Sequence, residues 1–262
     1  MQANPQSPEP TGTMMTKSHI IDGIFFEIPK TLEKIYNNFE PLSTKSVLEH
    51  LQIGDTFLDI GANFGYFSVL AARTVGPRGH VISIEASPDV LPSLARNLTE
   101  FSNTKIINAA AGKEKRVSDF FLTEDFVNSG VSKSPFQEAT RKISVKMDSI
   151  DNLLSTHSEP IGEIQFIKCD VQGDEMAVLE GARRTIERSN QLKLIVEWAP
   201  AWMKQAGHDP ADFPRFLNSL GFSSLIVLDD YLGKKMTINE MEKEFERDIT
   251  GRRFCNVLAS KS

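Results

Sequence analysis

From Thr56 onward, short apolar runs alternate with segments in which apolar residues recur at helical spacing. The apolar runs predict strands at Thr56–Ile60, His80–Ile84, Thr104–Asn108, Ile164–Cys169 and Leu192–Glu197. The segments between them predict helices at Tyr66–Val75, Pro88–Phe101 and Asp174–Ile186. Strands that alternate with helices in this way are typical of a parallel, doubly wound sheet.

Other stretches depart from this alternation. Arg116–Leu122 and Lys142–Met147 alternate apolar with polar residues, which predicts a β-hairpin or an excursion at the edge of the sheet. The polar segment Thr123–Arg141 between them is long for a loop, so it is either a binding loop or lid, or a plain surface insertion. Near the end, Ser224–Leu228 and Phe254–Ala259 are predicted strands without a clear helical crossover, which favours antiparallel pairing.

The part of the chain before the first core strand is predicted as an extension. Residues 1–17 are rich in Pro, Thr, Ser and Gln, which favours a mobile tail. A strand-like segment, His19–Ile28, precedes one helix and then a second helix at Thr44–Leu51. We expect a single domain over residues 18–262, with an extension at 18–52 and the core at 53–262.

Composition narrows the class of protein. The chain has 262 residues, of which 40% are hydrophobic, enough for a substantial core. Its net charge of −6 argues against a general nucleic-acid-binding surface. Cys169 and Cys255 lie in apolar runs, which favours reduced thiols in a cytoplasmic protein. The sequence has no apolar run of about 18 residues and no secretory signal pattern, so we expect no membrane span.

The turn after the first core strand is the strongest candidate for a ligand site. The segment TFLDIGANFGYFS (Thr56–Ser68) predicts a strand, a tight turn and a helix, and small residues let a ligand approach the backbone there. The turn residues are Gly61, Ala62, Asn63 and Gly65. Their spacing lacks the third glycine of the dinucleotide fingerprint. The carboxylate of Asp59 would repel a pyrophosphate but suits a cation, so S-adenosylmethionine, with its sulfonium and ammonium, fits better.

Polar residues also close the other predicted parallel strands, where ligands bind in open α/β sheets. These strand-end residues are Asp59, Glu85, Asn108, Asp170 and Glu197. An acid at Glu85 can accept both ribose hydroxyls of an adenosine, or it can belong to the helix start at Ser87–Pro88. The small residue Ala109 after Asn108 leaves room for an adenine ring.

Several segments, taken in their order along the chain, resemble the FkbM-type methyltransferases. They are LDIGANFGYFS, ISIEASP, VKMDSIDNLL, IQFIKCDVQGDEMAVLEGA and LIVEWAP, and the resemblance spans roughly Glu40 to Gly221. It implies a Rossmann-like class I methyltransferase fold with a mostly parallel seven-stranded sheet and an antiparallel C-terminal strand. It also implies S-adenosylmethionine as cofactor and O-methylation of a sugar, glycan or secondary metabolite. The chain departs from the family at Gln172, where an acid is common. It keeps Asn63, which is usual in the family although methyltransferases at large often have glycine there.

Methyl transfer to oxygen needs alignment of the reactants and removal of a proton. Asp170 is the first candidate for the general base or for positioning the hydroxyl. Lys168 points to the same face of its strand and can hold the charge of Asp170 or polarise the substrate, or it is simply a strand-end lysine. Glu197 and His208 are further candidate bases. Glu40 and Asp170 are added to the candidate cofactor-binding residues.

The remaining expectations concern metals, acceptors and alternative functions. Asp170 and Glu197 could share a cation such as Mg²⁺ with a substrate diol, but no metal-ligand motif or dense acid cluster in the sequence supports this. Trp198 and Trp202 could stack on a sugar or belong to the core. Specificity for a small-molecule, sugar or glycan acceptor is expected in the 123–141 loop and the segment 198–210. The alternative functions are a non-catalytic cofactor-binding scaffold and an NAD-linked oxidoreductase.

Overall fold

The computed structural model describes residues 15–19, 24–156, 161–230, 236–248 and 252–261. The strands are β1 (Met15–His19), β2 (Phe25–Pro29), β3 (Thr56–Ile60), β4 (His80–Glu85), β5 (Thr104–Asn108), β6 (Ala110–Gly112), β7 (Arg116–Leu122), β8 (Arg141–Ser149), β9 (Phe166–Cys169), β10 (Lys193–Trp198), β11 (Ser224–Asp230) and β12 (Cys255–Ser260). The α-helices are α1 (Glu33–Tyr36), α2 (Pro41–His50), α3 (Tyr66–Val75), α4 (Leu91–Leu98), α5 (Ile150–Ser155), α6 (Glu175–Glu180), α7 (Arg183–Arg188), α8 (Pro200–Gln205), α9 (Phe213–Ser219) and α10 (Ile238–Arg247). Short 3₁₀ helices precede α1 and α9 at Lys30–Leu32 and Pro210–Asp212.

The central sheet has seven strands in the order β11-β12-β10-β9-β3-β4-β5. β12 pairs antiparallel with β10 and β11, and the other pairings in this sheet are parallel. The predicted mostly parallel sheet with an antiparallel C-terminal strand is confirmed. In the register, Ile60 of β3 lies opposite Ile84 of β4 and Cys169 of β9. The residues that follow these strands therefore meet at one edge of the sheet.

Residues along each central strand alternate between two apolar layers. Phe57 and Ile195 belong to the layer that includes residues of α1 to α4. Leu58 and Leu194 belong to the layer that includes residues of α5 to α10. Because successive side chains of a strand point to opposite faces, both faces of the sheet are covered, as in parallel sheets generally.

A separate three-stranded sheet has the order β6-β8-β7. β7 pairs antiparallel with β8 from Arg116↔Met147 to Leu122↔Arg141, which confirms the predicted hairpin. β6 pairs in parallel with the end of β8. The loop between β7 and β8 is tied back by backbone hydrogen bonds between Phe121 and Gly130.

Some helices differ from their predicted bounds. α4 begins at Leu91 rather than at Pro88, and Pro92 occupies its second position, where no intrahelical N–H is needed. The helix predicted over 174–186 is split into α6 and α7. Gly181 at the break lies so close to the carbonyl oxygen of Gly112 that a Cβ would be 2.1 Å from it. α10 fills the charged stretch before β12, where the sequence shows no clear helix, and its start is capped by Thr237 and Glu240.

The N-terminal extension forms a hairpin and two helices. β1 pairs antiparallel with β2, so the predicted mobile tail is wrong for its last residues, 15–17, which lie in a strand. Residues 1–14 of that tail and residues 20–23 of the next predicted strand lie outside the described part. α2 begins at Pro41, earlier than predicted, because proline is well suited to the first helical position.

Two predicted properties concern the chain as a whole. Cys169 and Cys255 are both buried and carry reduced thiols. Among the helices that the structure describes, none combines the length and the apolar character needed to cross a membrane.

The turn after β3 packs tightly against the end of β9. Gly61 has a φ of +81°, and a Cβ on it would lie 1.9 Å from the backbone oxygen of Asp170. Both the left-handed backbone and the close approach therefore require glycine. Gly54 has a similar φ of +98°, but no atom lies within 4 Å of its Cβ position.

Comparing these two glycines separates the clash from the backbone strain. We expect Gly61→Ala to lower the free energy of unfolding by more than about 3 kcal/mol, because it adds a backbone clash to the strain. Gly54→Ala adds strain alone and should cost about 1 kcal/mol. Urea denaturation measures both. Equal losses in the two variants would contradict a tight contact between Gly61 and Asp170.

Candidate active site

A cleft of about 260 Å³ opens at the carboxyl edge of the central sheet. The glycine turn and the ends of β3, β4 and β9 line it together with α1, α3, β6 and the loop after β7. Its described lining is strongly acidic, with six carboxylates and one lysine: Glu40, Asp59, Glu85, Asp170, Asp174, Glu197 and Lys168.

Asp59 lies near the end of β3 and is 2% exposed. Its Oδ2 accepts a hydrogen bond of 2.5 Å from the hydroxyl of Ser68, which also lies 2.7 Å from the hydroxyl of Ser83. Burial raises the pKa of Asp59 to about 6, although the bond from Ser68 and the charge of Lys168 lower it. The charge of Asp59 therefore changes close to neutral pH.

Glu85 at the end of β4 is held by backbone donors on both carboxylate oxygens. The N–H of Asn63 donates to Oε2 at 2.8 Å, and the N–H of Ser87 donates to Oε1 at 2.7 Å. Burial raises the pKa of Glu85, against the effect of these bonds. Each carboxylate oxygen can accept a second hydrogen bond, so Glu85 can still receive the hydroxyls of a ligand in the cleft.

Three of the four turn residues line the cleft, and the fourth packs against α4. Gly61, Ala62 and Asn63 line the cleft, and Asn63 has a φ of 51°. Gly65 is not among the described lining residues. It precedes α3, where a Cβ would lie 2.7 Å from a methyl carbon of Leu94.

Small side chains follow the end of β5, at Ala109 and in β6. Ala109, Ala110 and Ala111 line the cleft beside Glu85. Asn108 is exposed and does not appear in the described lining; its Nδ2 donates to the backbone oxygen of Glu85 at 3.0 Å. The structure thus places Asn108 as a link to β4.

Lys168 lies between two acids in the cleft and is 2% exposed. Its Nζ is 3.1 Å from Oδ2 of Asp170, 3.6 Å from Oε2 of Glu40 and 5.3 Å from the centre of the Phe67 ring. Burial lowers the pKa of Lys168, but the neighbouring Asp170 and Glu40 outweigh burial and raise it. The ammonium therefore stays charged at neutral pH.

Glu40 reaches the cleft from the start of α2, where its backbone is left-handed. Its Oε2 accepts a bond of 2.7 Å from Nδ2 of Asn256. Burial raises the pKa of Glu40 to about 7, and Lys168 opposes this shift.

Asp170 follows β9 and is oriented by donors on both oxygens. Besides Lys168 at Oδ2, Nε2 of Gln172 donates to Oδ1 at 2.9 Å. Gln172 stands where the resembling family commonly has an acid, and here its amide supplies a donor that an ionised acid cannot supply.

Sequence reasoning missed Glu175, which is fully buried at the start of α6. Its Oε1 accepts from the N–H groups of Val171 and Gly173 at 3.0 and 3.2 Å. One carboxylate oxygen from each of Asp170, Glu175 and Glu197 lies within 4.8 Å of the others. Burial raises the pKa of Glu175 to about 8 and that of Glu197 well above its usual range, and the charge of Asp170 adds to both shifts.

A signal for Glu175 does exist in the sequence. Glu175 occupies the buried stripe of its helical segment together with Val178, Leu179 and Ala182, at helical spacing. An acid in an apolar stripe needs a partner, and this marks it as a candidate site residue.

Of the remaining candidate site residues, the fold places one on the cleft and two away from it. Trp202 lines the cleft, with its ring centre 6.4 Å from that of Phe136 in an edge-to-face contact. Trp198 lies in the core, where its Nε1 donates to the backbone oxygen of Pro210. His208 follows α8 and is absent from the described lining.

Part of the long loop after β7 forms a wall of the cleft. Residues 126–131 line it, and the Phe126 ring makes an edge-to-face contact with Phe64 at 6.0 Å. The backbone oxygen of Phe126 also accepts from Nδ2 of Asn63 at 3.3 Å. The loop is therefore attached to the glycine turn.

The geometry agrees with a family comparison. The family model described as the methyltransferase FkbM domain matches residues 59–224, which include the glycine turn, Glu85, Asp170 and Glu197. The chain belongs to the FkbM methyltransferase family. This methyltransferase therefore uses S-adenosylmethionine and has the Rossmann-like class I fold.

Individual proteins similar to this methyltransferase share a short matching segment or a low sequence identity with it. It is 38% identical over 47 residues to an arsenite methyltransferase of Halobacterium salinarum, a match covering 18% of this chain and 12% of that protein. It is 25% identical over 182 residues to the hexuronic acid methyltransferase AglP of Haloferax volcanii, covering 69% of each. A solved FkbM methyltransferase from Methylobacillus flagellatus is 16% identical, with a TM-score of 0.48 over 87% of this chain and 52% of that one.

The raised pKa of Asp59 predicts a pH-dependent stability. The folded-state pKa of about 6 lies above the ordinary 3.8, so the stabilisation by the protonated form is complete below pH 3.8 and is lost as the pH rises towards 6. Asp59→Asn stays neutral. The unmodified protein loses this stabilisation as the pH rises, and the variant does not. The free energy of unfolding of Asp59→Asn minus that of the unmodified protein should therefore increase by about 2 kcal/mol between about pH 4 and about pH 7.

Urea denaturation at several pH values measures this change. Asp119→Asn, which removes a half-exposed acid of β7, controls for the loss of one negative charge. A constant difference between Asp59→Asn and the unmodified protein across this range would contradict the raised pKa.

Proposed function

We propose that the chain transfers a methyl group from S-adenosylmethionine to a hydroxyl of a sugar or sugar-containing acceptor. The observation that carries the proposal is the acidic lining of the cleft, in which the lysine is already engaged by two acids. A sulfonium and an ammonium are favoured by such a lining, whereas a pyrophosphate is disfavoured. The same observation argues against an NAD-linked oxidoreductase.

The cofactor's adenosine fits the β4 and β5 side of the cleft. The carboxylate of Glu85 is fixed by two backbone donors and can accept the ribose hydroxyls. The row Ala109 to Ala111 leaves space for the adenine ring beside it. Asp59 and the glycine turn then lie on the side of the methionine portion, where negative charge favours the cationic groups.

Asp170 is the best placed group to receive the acceptor's proton. When bound, S-adenosylmethionine supplies an electrophilic methyl group: a C–O bond forms, the C–S bond breaks, and the hydroxyl proton must leave. Lys168 and Gln172 fix both oxygens of Asp170, and its side chain is 23% exposed to the cleft. Glu197 is the poorer candidate, because burial and the charge of Asp170 raise its pKa and so favour its protonated form.

The acceptor class rests on the relative that is a hexuronic acid methyltransferase and on an aromatic wall of the cleft. Trp202 and residues 126–131 form this wall, and an indole suits the apolar face of a sugar ring. A sugar hydroxyl also needs a base such as Asp170, because its proton is weakly acidic.

Cofactor binding is the first test. Calorimetry of the folded chain should show saturable binding of S-adenosylmethionine, and its absence would overturn the proposal. Glu85→Gln should weaken binding about tenfold, because it replaces a charged acceptor of the ribose hydroxyls by a neutral one. Glu100→Gln removes an exposed acid at the end of the α4 region and should bind like the unmodified chain. Equal affinity in both variants would remove Glu85 from the ribose site.

Asp170→Asn tests the base. It should lower the rate of methyl transfer at least about 100-fold while changing cofactor affinity much less, because the neutral amide cannot take the proton. Transfer of labelled methyl to hexuronic acids and neutral sugars measures the rate. Full activity of Asp170→Asn would exclude it as base. A chain that binds the cofactor but methylates none of these sugars would instead contradict the proposed acceptor class.

A further inference from the structure

We propose that Asp170, Glu175 and Glu197 bind a divalent cation, Mg²⁺ or Mn²⁺, on the acceptor side of the cleft. These residues come from the end of β9, the start of α6 and the end of β10, so the parallel strands and the following helix bring them together. One oxygen of each lies within 4.8 Å of the other two. Oxygen ligands of one Mg²⁺ stand about 3 to 4 Å apart, so small side-chain rotations close the site.

Two of the carboxylates have oxygens without a partner. Oε2 of Glu175 and Oε2 of Glu197 are buried and accept no hydrogen bond. Glu175 is fully buried, and its other oxygen is held by two backbone N–H groups, which fix its carboxylate in place. Buried polar atoms are nearly always satisfied, so two orphaned carboxylate oxygens within one acid cluster indicate a missing positive partner.

Charge balance indicates a partner with two charges. Carboxylates that coordinate a cation are ionised, so in the cation-bound state the three acids carry three negative charges; Lys168 neutralises one, and two remain. Glu40, on the other side of Lys168, adds a further acid rather than a cation. Carboxylate oxygens with a surplus of two negative charges suit Mg²⁺ or Mn²⁺, whose remaining octahedral positions water or the acceptor would fill.

Asp170 can join such a site without losing its present contacts. Its Oδ2 accepts from Lys168 and its Oδ1 from Gln172, and each carboxylate oxygen has a second lone pair. The amide of Gln172 orients Asp170, as groups around metal ligands commonly do. The three acids therefore complete the ligand set without an acid at position 172.

The role of the cation rests on the proposed function. Asp170 and Glu197 both line the cleft, so a cation held by them is open to the acceptor. There it would bind the acceptor hydroxyl and stabilise the negative charge that develops on its oxygen as the proton leaves.

Binding of Mn²⁺ tests the site directly. The full chain, freed of metals with a chelator, is titrated with Mn²⁺ while the electron paramagnetic resonance signal of free Mn²⁺ is recorded. We expect one saturable site per chain. Glu175→Gln and Glu197→Gln should each weaken it at least about tenfold, because each removes a charged ligand. Glu187→Gln, which removes an exposed acid of α7, should bind like the unmodified chain.

Folding and cofactor binding are checked separately. Circular dichroism shows whether each variant is folded, and stabilisation of the unmodified chain by Mn²⁺ in thermal unfolding gives a second readout of binding. No Mn²⁺ binding at about 1 mM, or equal binding by the folded variants, would overturn the cation site. S-adenosylmethionine binding in the presence of chelator would leave the proposed function standing even then.

Discussion

The buried ammonium of Lys168 is the interaction on which the cleft depends. It lies between Asp170 and Glu40 and provides the basic side chain of an otherwise acidic described lining. Without it, these acids would face each other in a site from which water is largely excluded, at a cost of several kcal/mol. Because Lys168 is already paired, the cleft keeps a net negative character, and this character selects a cationic cofactor over a phosphate-bearing one.

The sheet register explains why these groups meet. Asp59 of β3 lies opposite Lys168 of β9, and the end of β4 places Glu85 beside the glycine turn. The turn can pass close to Asp170 because Gly61 has no side chain. The site is thus a consequence of parallel strands that end at one edge, with small residues where the backbone must approach. The second sheet and the loop after β7 form further walls of the cleft.

Local patterns predicted much of the fold. The bounds of β3, α3 and β5 match the structure, because their apolar spacing agrees with the environment on both sides of the sheet. The break between α6 and α7 was missed because it depends on the contact between Gly181 and Gly112, residues far apart in sequence. α10 was missed because a charged helix shows only a narrow apolar stripe.

The site was predictable to the extent that strand ends mark it. The polar residues at predicted strand ends included Asp59, Glu85 and Glu197, and the structure places all three on the cleft. Glu175 escaped because it follows Asp174 in a polar stretch, although the apolar residues Val178 and Leu179 at helical spacing place it on the buried stripe. His208, a candidate base from the sequence, is absent from the described lining. Its position could not be predicted, because periodicity does not show where a loop side chain points.

A crystal structure of the chain with S-adenosylhomocysteine would show where the acidic cleft holds its cofactor. We expect the ribose hydroxyls within hydrogen-bonding distance of Glu85, the adenine beside Ala109 and the sulfur facing Asp170. A ligand bound elsewhere, or one whose ribose lies away from Glu85, would contradict this expectation.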